Sequence, residues 1–183
     1  MNKLLIPLLL SGLTLLAQTD RVRVDPIEGL WEGYDAEWGH VSRQLIALAE
    51  ATPAEKFAWR PAPGVRSTGE VYMHIALANF SLLSVTGPAL PQDLKSGSNP
   101  EKNVTAKADI ISWLRRSQEA VKTAHAGLTS SALQRRVKIS GKDVSVDGMY
   151  LRIIVHANEH MGQLIAYARM SRITPPWSET TAK

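Results

Sequence analysis

Apolar positions recur at helical spacing over four stretches of the chain, separated by segments rich in proline, glycine and small polar residues. In residues 27–51, Leu30, Tyr34, Val41, Leu45 and Leu48 fall on one helical face, and Pro26 stands where a first turn would begin. This spacing predicts a first helix. Residues 52–66 contain Pro53, Pro61, Pro63 and Gly64 and read as a loop, with Phe57 and Trp59 tucking it against the bundle. Ser67 followed by Glu70 gives the capping-box order ahead of the apolar run 71–85, the second helix. Residues 87–105, with three prolines and two glycines, form a long irregular connection of the kind that covers a site. A third helix is predicted over 106–128, where Ile110, Trp113, Leu114, Val121 and Leu128 oppose Arg115, Arg116, Glu119 and Lys122. The pattern weakens over 129–146, and residues 136–142 suggest a short extended excursion. Asp147 is placed to cap a last helix that runs to about Ser171, before Pro175 and Pro176 stop it. That helix is apolar on nearly all sides, which predicts a central place among the others. The expected fold is all-α: a four-helix bundle with a long crossover loop between helices two and three.

The N-terminus changes the domain picture. Asn2 and Lys3 precede an unbroken apolar run over 4–16, closed by Ala17-Gln18-Thr19-Asp20, the order of a secretory signal peptide. The run falls short of the ~20 residues of a spanning helix, and no cysteine is present to carry a lipoprotein anchor. Residues 1–18 are therefore read as a cleavable signal and 19–183 as one domain in the periplasm or outside the cell, with no stable membrane insertion. A chain of 183 residues with 44% hydrophobic content can bury one real core. The net charge of +4 comes with only two basic clusters, Arg115-Arg116 and Arg135-Arg136-x-Lys138. Without interleaved aromatics they exclude a nucleic-acid surface. A small-molecule substrate or ligand is the expected partner, and the apolar last helix permits a homodimer.

Lack of cysteine removes thiolates as nucleophiles and ligands and leaves histidine and carboxylate chemistry. His156 and His160 stand four residues apart, one turn along the same face of the last helix. On so apolar a helix, two unpartnered imidazoles would cost desolvation energy that metal ligation offsets. His74 lies on the mostly apolar stripe of helix two that carries Ser67, Leu77, Ala78 and Ser81, and is expected to point inward. Three imidazoles would leave one coordination position open for water, as catalytic zinc sites do. His40 and His125 are left out of this set.

Glu159 and Glu70 are the candidate proton-handling groups, and Glu70, one turn before His74, is also a candidate to orient it. Gln163 and Tyr167 continue the face of His156 and His160, while Trp31, Tyr34 and Trp38 form a stripe that either walls a pocket or packs the core. His-x-x-Glu-His is also the order of inverzincin peptidases, but these need a further downstream carboxylate ligand. Only Glu179 follows, beyond the two prolines, so that reading is set aside.

Two strings carry a family resemblance: Ser67-x-Gly-Glu70-Val-x-x-His74-Ile, and His156-x-x-x-His160-x-Gly162-Gln163-Leu164 followed by Tyr167-x-Arg169. With Phe57-x-Trp59-x-Pro61-x-Pro63-Gly64 and the Pro175-Pro176 tail, they resemble the DinB-like superfamily over nearly the whole chain after the signal. The resemblance implies a four-helix bundle in which His74, His156 and His160 bind one divalent ion, zinc or nickel, with manganese or iron as alternatives. It also implies a metal-dependent hydrolase. A thiol-dependent S-transferase and a non-enzymatic metal- or ligand-binding protein are the alternatives. Export disfavours the transferase, because low-molecular-weight thiols are kept mainly in the cytosol.

Overall fold

The computed structural model describes residues 32–94 and 99–178; the expected signal at 1–18, Pro26 and Trp31 lie outside the described residues. Helices α1 (Tyr34–Ala51), α2 (Thr68–Ser84), α3 (Pro100–Asn103), α4 (Lys107–Ala126) and α5 (Ser130–Gln134) are followed by strands β1 (Arg136–Ile139) and β2 (Lys142–Ser145) and by α6 (Val146–Met170). The four long helices make the expected bundle. Both α1 and α2 pack on α4 and on α6, so the order around the bundle is α1, α4, α2, α6. The two helices consecutive in sequence thus stand at opposite corners. No helix among the described residues is long and apolar enough to cross a membrane.

Among the described residues the first helix starts at Tyr34, and the expected start at residue 27 lies outside them. Gly33 sits at φ 89°, a region open to glycine at little cost, and the backbone turns into the helix there. From α1, Trp38, Val41, Leu45 and Leu48 enter the core, and the Trp38 indole donates to the Gln118 carbonyl of α4 at 3.2 Å.

The start of α2 is fixed from both sides. The Ser67 hydroxyl accepts from the Glu70 amide at 3.2 Å, and the Ser67 amide donates to Glu70 Oε2 at 2.8 Å, a complete capping box. The loop before it docks as expected: Phe57 is buried, and its carbonyl accepts from the Gly69 amide at 2.9 Å. A Cβ on Gly69 would stand 2.9 Å from Ile110 Cδ1 and 3.2 Å from the Phe57 carbonyl oxygen, so this close approach of loop, α2 and α4 favours glycine.

The excursion before the last helix is an antiparallel hairpin that pairs Val137 with Val144 and Ile139 with Lys142. Ser140 (φ 49°) and Gly141 (φ 79°) make its two-residue turn, both left-handed as a type I′ turn demands. The extended backbone of β2 then delivers Ser145, not Asp147, to the cap of α6. The Ser145 hydroxyl accepts from the Gly148 amide at 3.0 Å, and Asp147 lies inside the first turn, where a carboxylate favours the helix dipole. The α6 helix is also not central. Met149, Ile153, Ala157 and Leu164 are buried, but Leu151 and Val155 are 61% and 40% exposed. Apolar character on every side therefore overstated its burial, since single exposed apolar residues are ordinary on a protein surface.

Replacing Ser67 with alanine removes the acceptor for the Glu70 amide and is expected to cost about 1 kcal/mol. Thermal unfolding followed by circular dichroism should show a midpoint about 2–4 °C lower; an unchanged midpoint would contradict the cap assignment.

Candidate metal centre

Packing of α2 against α6 brings His74, His156 and His160 together. One ring nitrogen from each lies within 4.8 Å of the other two. The ring centroids are 5.1 Å apart for His74 and His156, 4.7 Å for His74 and His160, and 4.6 Å for His156 and His160. His74 Nε2 and His156 Nε2 are separated by 3.2 Å. Two ring nitrogens this close need either a proton on one or a cation between them. In a tetrahedral zinc site with bonds of about 2.0–2.1 Å, ligand nitrogens stand roughly 3.3 Å apart. The donor set therefore fits a divalent ion.

Neighbouring groups fix which nitrogens face inward. Glu101 Oε2 is 3.1 Å from His74 Nδ1, and a carboxylate can only accept, so Nδ1 carries the proton and Nε2 presents a lone pair. Gln163 does the same for His160. Its Nε2 donates to the Tyr167 hydroxyl at 2.8 Å, which leaves Oε1 to accept from His160 Nδ1 at 2.8 Å. Tyr167 donates in turn to the Arg66 carbonyl at 3.3 Å, while Arg66 Nε donates to Glu101 Oε1 at 2.8 Å. Both chains of hydrogen bonds thus close on Arg66, the residue before the α2 cap. Among the described residues His156 has no such support, and its buried Nδ1 has no hydrogen-bond partner.

Glu101 was not singled out from the sequence. It comes from the short α3 within the long connection, 27 residues from His74, and no periodicity links the two. The available signal was that the connection over 87–105 holds just two carboxylates, Asp93 and Glu101. Glu70, expected to orient His74, instead completes the capping box and pairs with Arg60 at 3.2 Å and Lys102 at 3.1 Å. Its N3 position directs the carboxylate back to the Ser67 amide, away from the next turn.

Glu159 is exposed on α6 and holds both terminal nitrogens of Arg152 at 3.1 Å. His125 pairs with Asp35 at 2.7 Å and stacks on Tyr34, far along the chain from the imidazole cluster. His40 is buried on α1 and is not part of the cluster. Tyr34 and Trp38 pack the core side of α1.

A family model described as the DinB superfamily matches residues 37–164. A DinB-like protein from Bacillus cereus ATCC 10987 is 24% identical, with a TM-score of 0.69 over 80% of this chain and 95% of that one. The DinB-like protein YjoA from Bacillus subtilis is 18% identical, with a TM-score of 0.62 over 77% of this chain and 93% of its own. YfiT from Bacillus subtilis, described as a probable metal-dependent hydrolase with an unusual four-helix bundle topology, is 11% identical, with a TM-score of 0.61 over 77% and 87% of the two chains. These structures share the fold. No curated protein matches the chain in sequence.

Electrostatics favours the neutral, ligating form of His74 and His156. Burial lowers the His74 pKa below its ordinary 6.5, the Arg66 charge lowers it further, and the Glu101 hydrogen bond opposes both. Burial, followed by the His160 and His74 rings, pushes His156 down to about 4. Burial alone would raise Glu101, but hydrogen bonds from Arg66 and His74 hold its carboxyl below the usual carboxylate range. Neutral His74 and His156 rings and an ionised Glu101 suit ligation at neutral pH.

A ring with a lowered folded pKa binds fewer protons folded than unfolded, so its stabilisation is present above about pH 6.5 and is lost as pH falls toward about 4. The unfolding midpoint of chelator-treated protein should therefore drop between about pH 6.5 and pH 4.5; a flat profile would contradict burial of these rings. Glu101→Gln should weaken metal affinity about 10- to 100-fold in a competition titration, while Glu70→Gln lowers the unfolding midpoint with less effect on affinity. Equal affinity in Glu101→Gln and wild type would remove Glu101 from the site.

Proposed function

The chain belongs to the DinB superfamily, and from that premise we propose that it is a metal-dependent hydrolase holding one divalent ion on His74, His156 and His160. The observation that carries this reading is the convergence of the three imidazoles, two of them with Nδ1 already committed to an acceptor. Zinc or nickel suits three imidazole nitrogens, with manganese or iron as alternatives. Three protein ligands match catalytic zinc sites, which keep a position open for water or substrate. When bound, the ion supplies Lewis acidity and activates water for hydrolysis.

This chain's own residues do the rest. Glu101 and Gln163 hold the His74 and His160 rings, and Arg66 braces both supports. Proton transfer falls to Glu159 rather than Glu70. Glu159 precedes His160 by one residue on α6 and is ionised, its carboxyl held below the usual range by the Arg152 guanidinium, which it must release before it takes a proton. Glu70 is committed to the helix cap, where its carboxylate accepts from the Ser67 amide. The leader-like apolar run at 4–16 supports action in the periplasm or outside the cell.

Metal-loaded protein should turn over members of an ester and amide panel, and chelation should abolish that turnover. His160→Ala should lower it by about 100-fold or more while helix content by circular dichroism is unchanged. Failure of the wild-type protein to take up a divalent ion, or full activity in the chelated protein, would overturn the reading.

A further inference from the structure

A groove of about 620 Å³ runs between α2, the β1–β2 hairpin and the first half of α6, and it ends on His156. Its volume lies within the range of small-molecule sites. Ala78 and Leu82 on α2 and Ile139 and Val144 on the hairpin supply apolar walls. The charged lining is Lys142 and Arg152, and no acidic residue lines the groove.

Strand alternation explains this lining. Val137 pairs with Val144 and Ile139 with Lys142, so these four residues share one face of the hairpin. Lys138 and Asp143 pair on the opposite face, where the ammonium lies 3.0 Å from the carboxylate. The one acid of β2 is therefore neutralised away from the groove. Arg152 is matched by Glu159, whereas Lys142 has no ion pair among the described residues. One uncompensated positive charge thus stands beside an apolar trough, on a hairpin face that otherwise carries apolar side chains. The groove of similar volume between α1 and α4 differs: it is lined by both signs, Asp35 and Glu119 against Arg43, Arg115 and Lys122, and reaches none of the three imidazoles.

We propose that the groove ending on His156 binds a small amphipathic anion, a short-chain aliphatic ester or amide that carries a carboxylate. Its carboxylate lies against Lys142, its chain along Ala78, Leu82, Ile139 and Val144, and its acyl carbon toward the imidazoles. The binding stands on the groove itself; the chemistry rests on the hydrolytic reading above. Hydrolysis breaks the acyl C–O or C–N bond, with the water oxygen and one proton going to the acyl carbon and the other proton to the leaving alcohol or amine. Ile139, Lys142 and Val144 are then specificity-determining residues contributed by the hairpin.

The test uses octanoate, octanamide and octylammonium as probes of purified, chelator-treated protein, with amide chemical shifts followed by NMR. Metal uptake is measured separately on the same preparations. Octanoate should shift the amides of residues 139–144 and 152 and bind more tightly than octanamide, with octylammonium weakest. Lys142→Glu should weaken octanoate about tenfold or more, and Lys142→Met should weaken it less, both with wild-type helix content and metal uptake. Absence of octanoate binding, unchanged affinity in Lys142→Glu, or shifts confined to the α1–α4 groove would overturn the proposal. Octanoate binding in the groove of a protein that takes up no metal would support the groove and sink the hydrolytic reading instead.

Discussion

Bringing three imidazoles into one partly buried space is the constraint on which the rest of the site depends. Each ring gives up water, and two of them approach to 3.2 Å between ring nitrogens, an arrangement that repels itself unless a proton or a cation mediates it. The fold answers by committing the outer nitrogens. Glu101 and Gln163 accept hydrogen bonds from Nδ1–H of His74 and His160 and so turn both Nε2 lone pairs inward. Arg66 closes the arrangement, with its side chain on Glu101 and its carbonyl on Tyr167. A single residue at the entrance to α2 thereby links the supports of ligands on two different helices.

The topology makes this linkage available. Because α1 and α2 occupy opposite corners, the segment between them reaches the entrance of α2 beside the C-terminal part of α6, where Trp59 meets Tyr167 edge to face at 5.3 Å. The connection after α2 then returns as α3 and sets Glu101 against His74 and Lys102 against Glu70. A loop that would only span a distance in a simpler bundle thus supplies part of the site. The hairpin does the same on the other side of α6: it positions Ser145 as a cap and turns Ile139, Lys142 and Val144 toward the groove that ends on His156.

Much of this was legible in the sequence because periodicity and capping are local. The apolar spacing of α2 and α4, the Ser67–Glu70 box and the His156–His160 turn each depend on residues within a few positions of one another. What failed depended on context. Gly33 interrupts the apolar repeat just before Tyr34, because backbone conformation is not written in hydrophobicity. Ser145 displaced Asp147 as the cap because β2 delivers an extended residue two positions earlier. Leu151 and Val155 made α6 look central, although their side chains face solvent. Glu101 left only a faint signal, as one of two carboxylates in the crossover connection, since its partnership with His74 exists only once that connection has folded back. Spacing alone was weak for His74, whereas the family strings set it beside His156 and His160, and the packing of α2 on α6 brings the three rings together.

The central claim is that one divalent ion binds three imidazoles from two helices. X-ray absorption at the metal edge of the loaded protein, with a matched His74→Ala sample, tests it most directly. Three imidazole nitrogens with a remaining light-atom ligand in wild type, and two in His74→Ala, are the predicted result. A first shell of two or fewer imidazoles in wild type, or identical spectra from the two proteins, would contradict it.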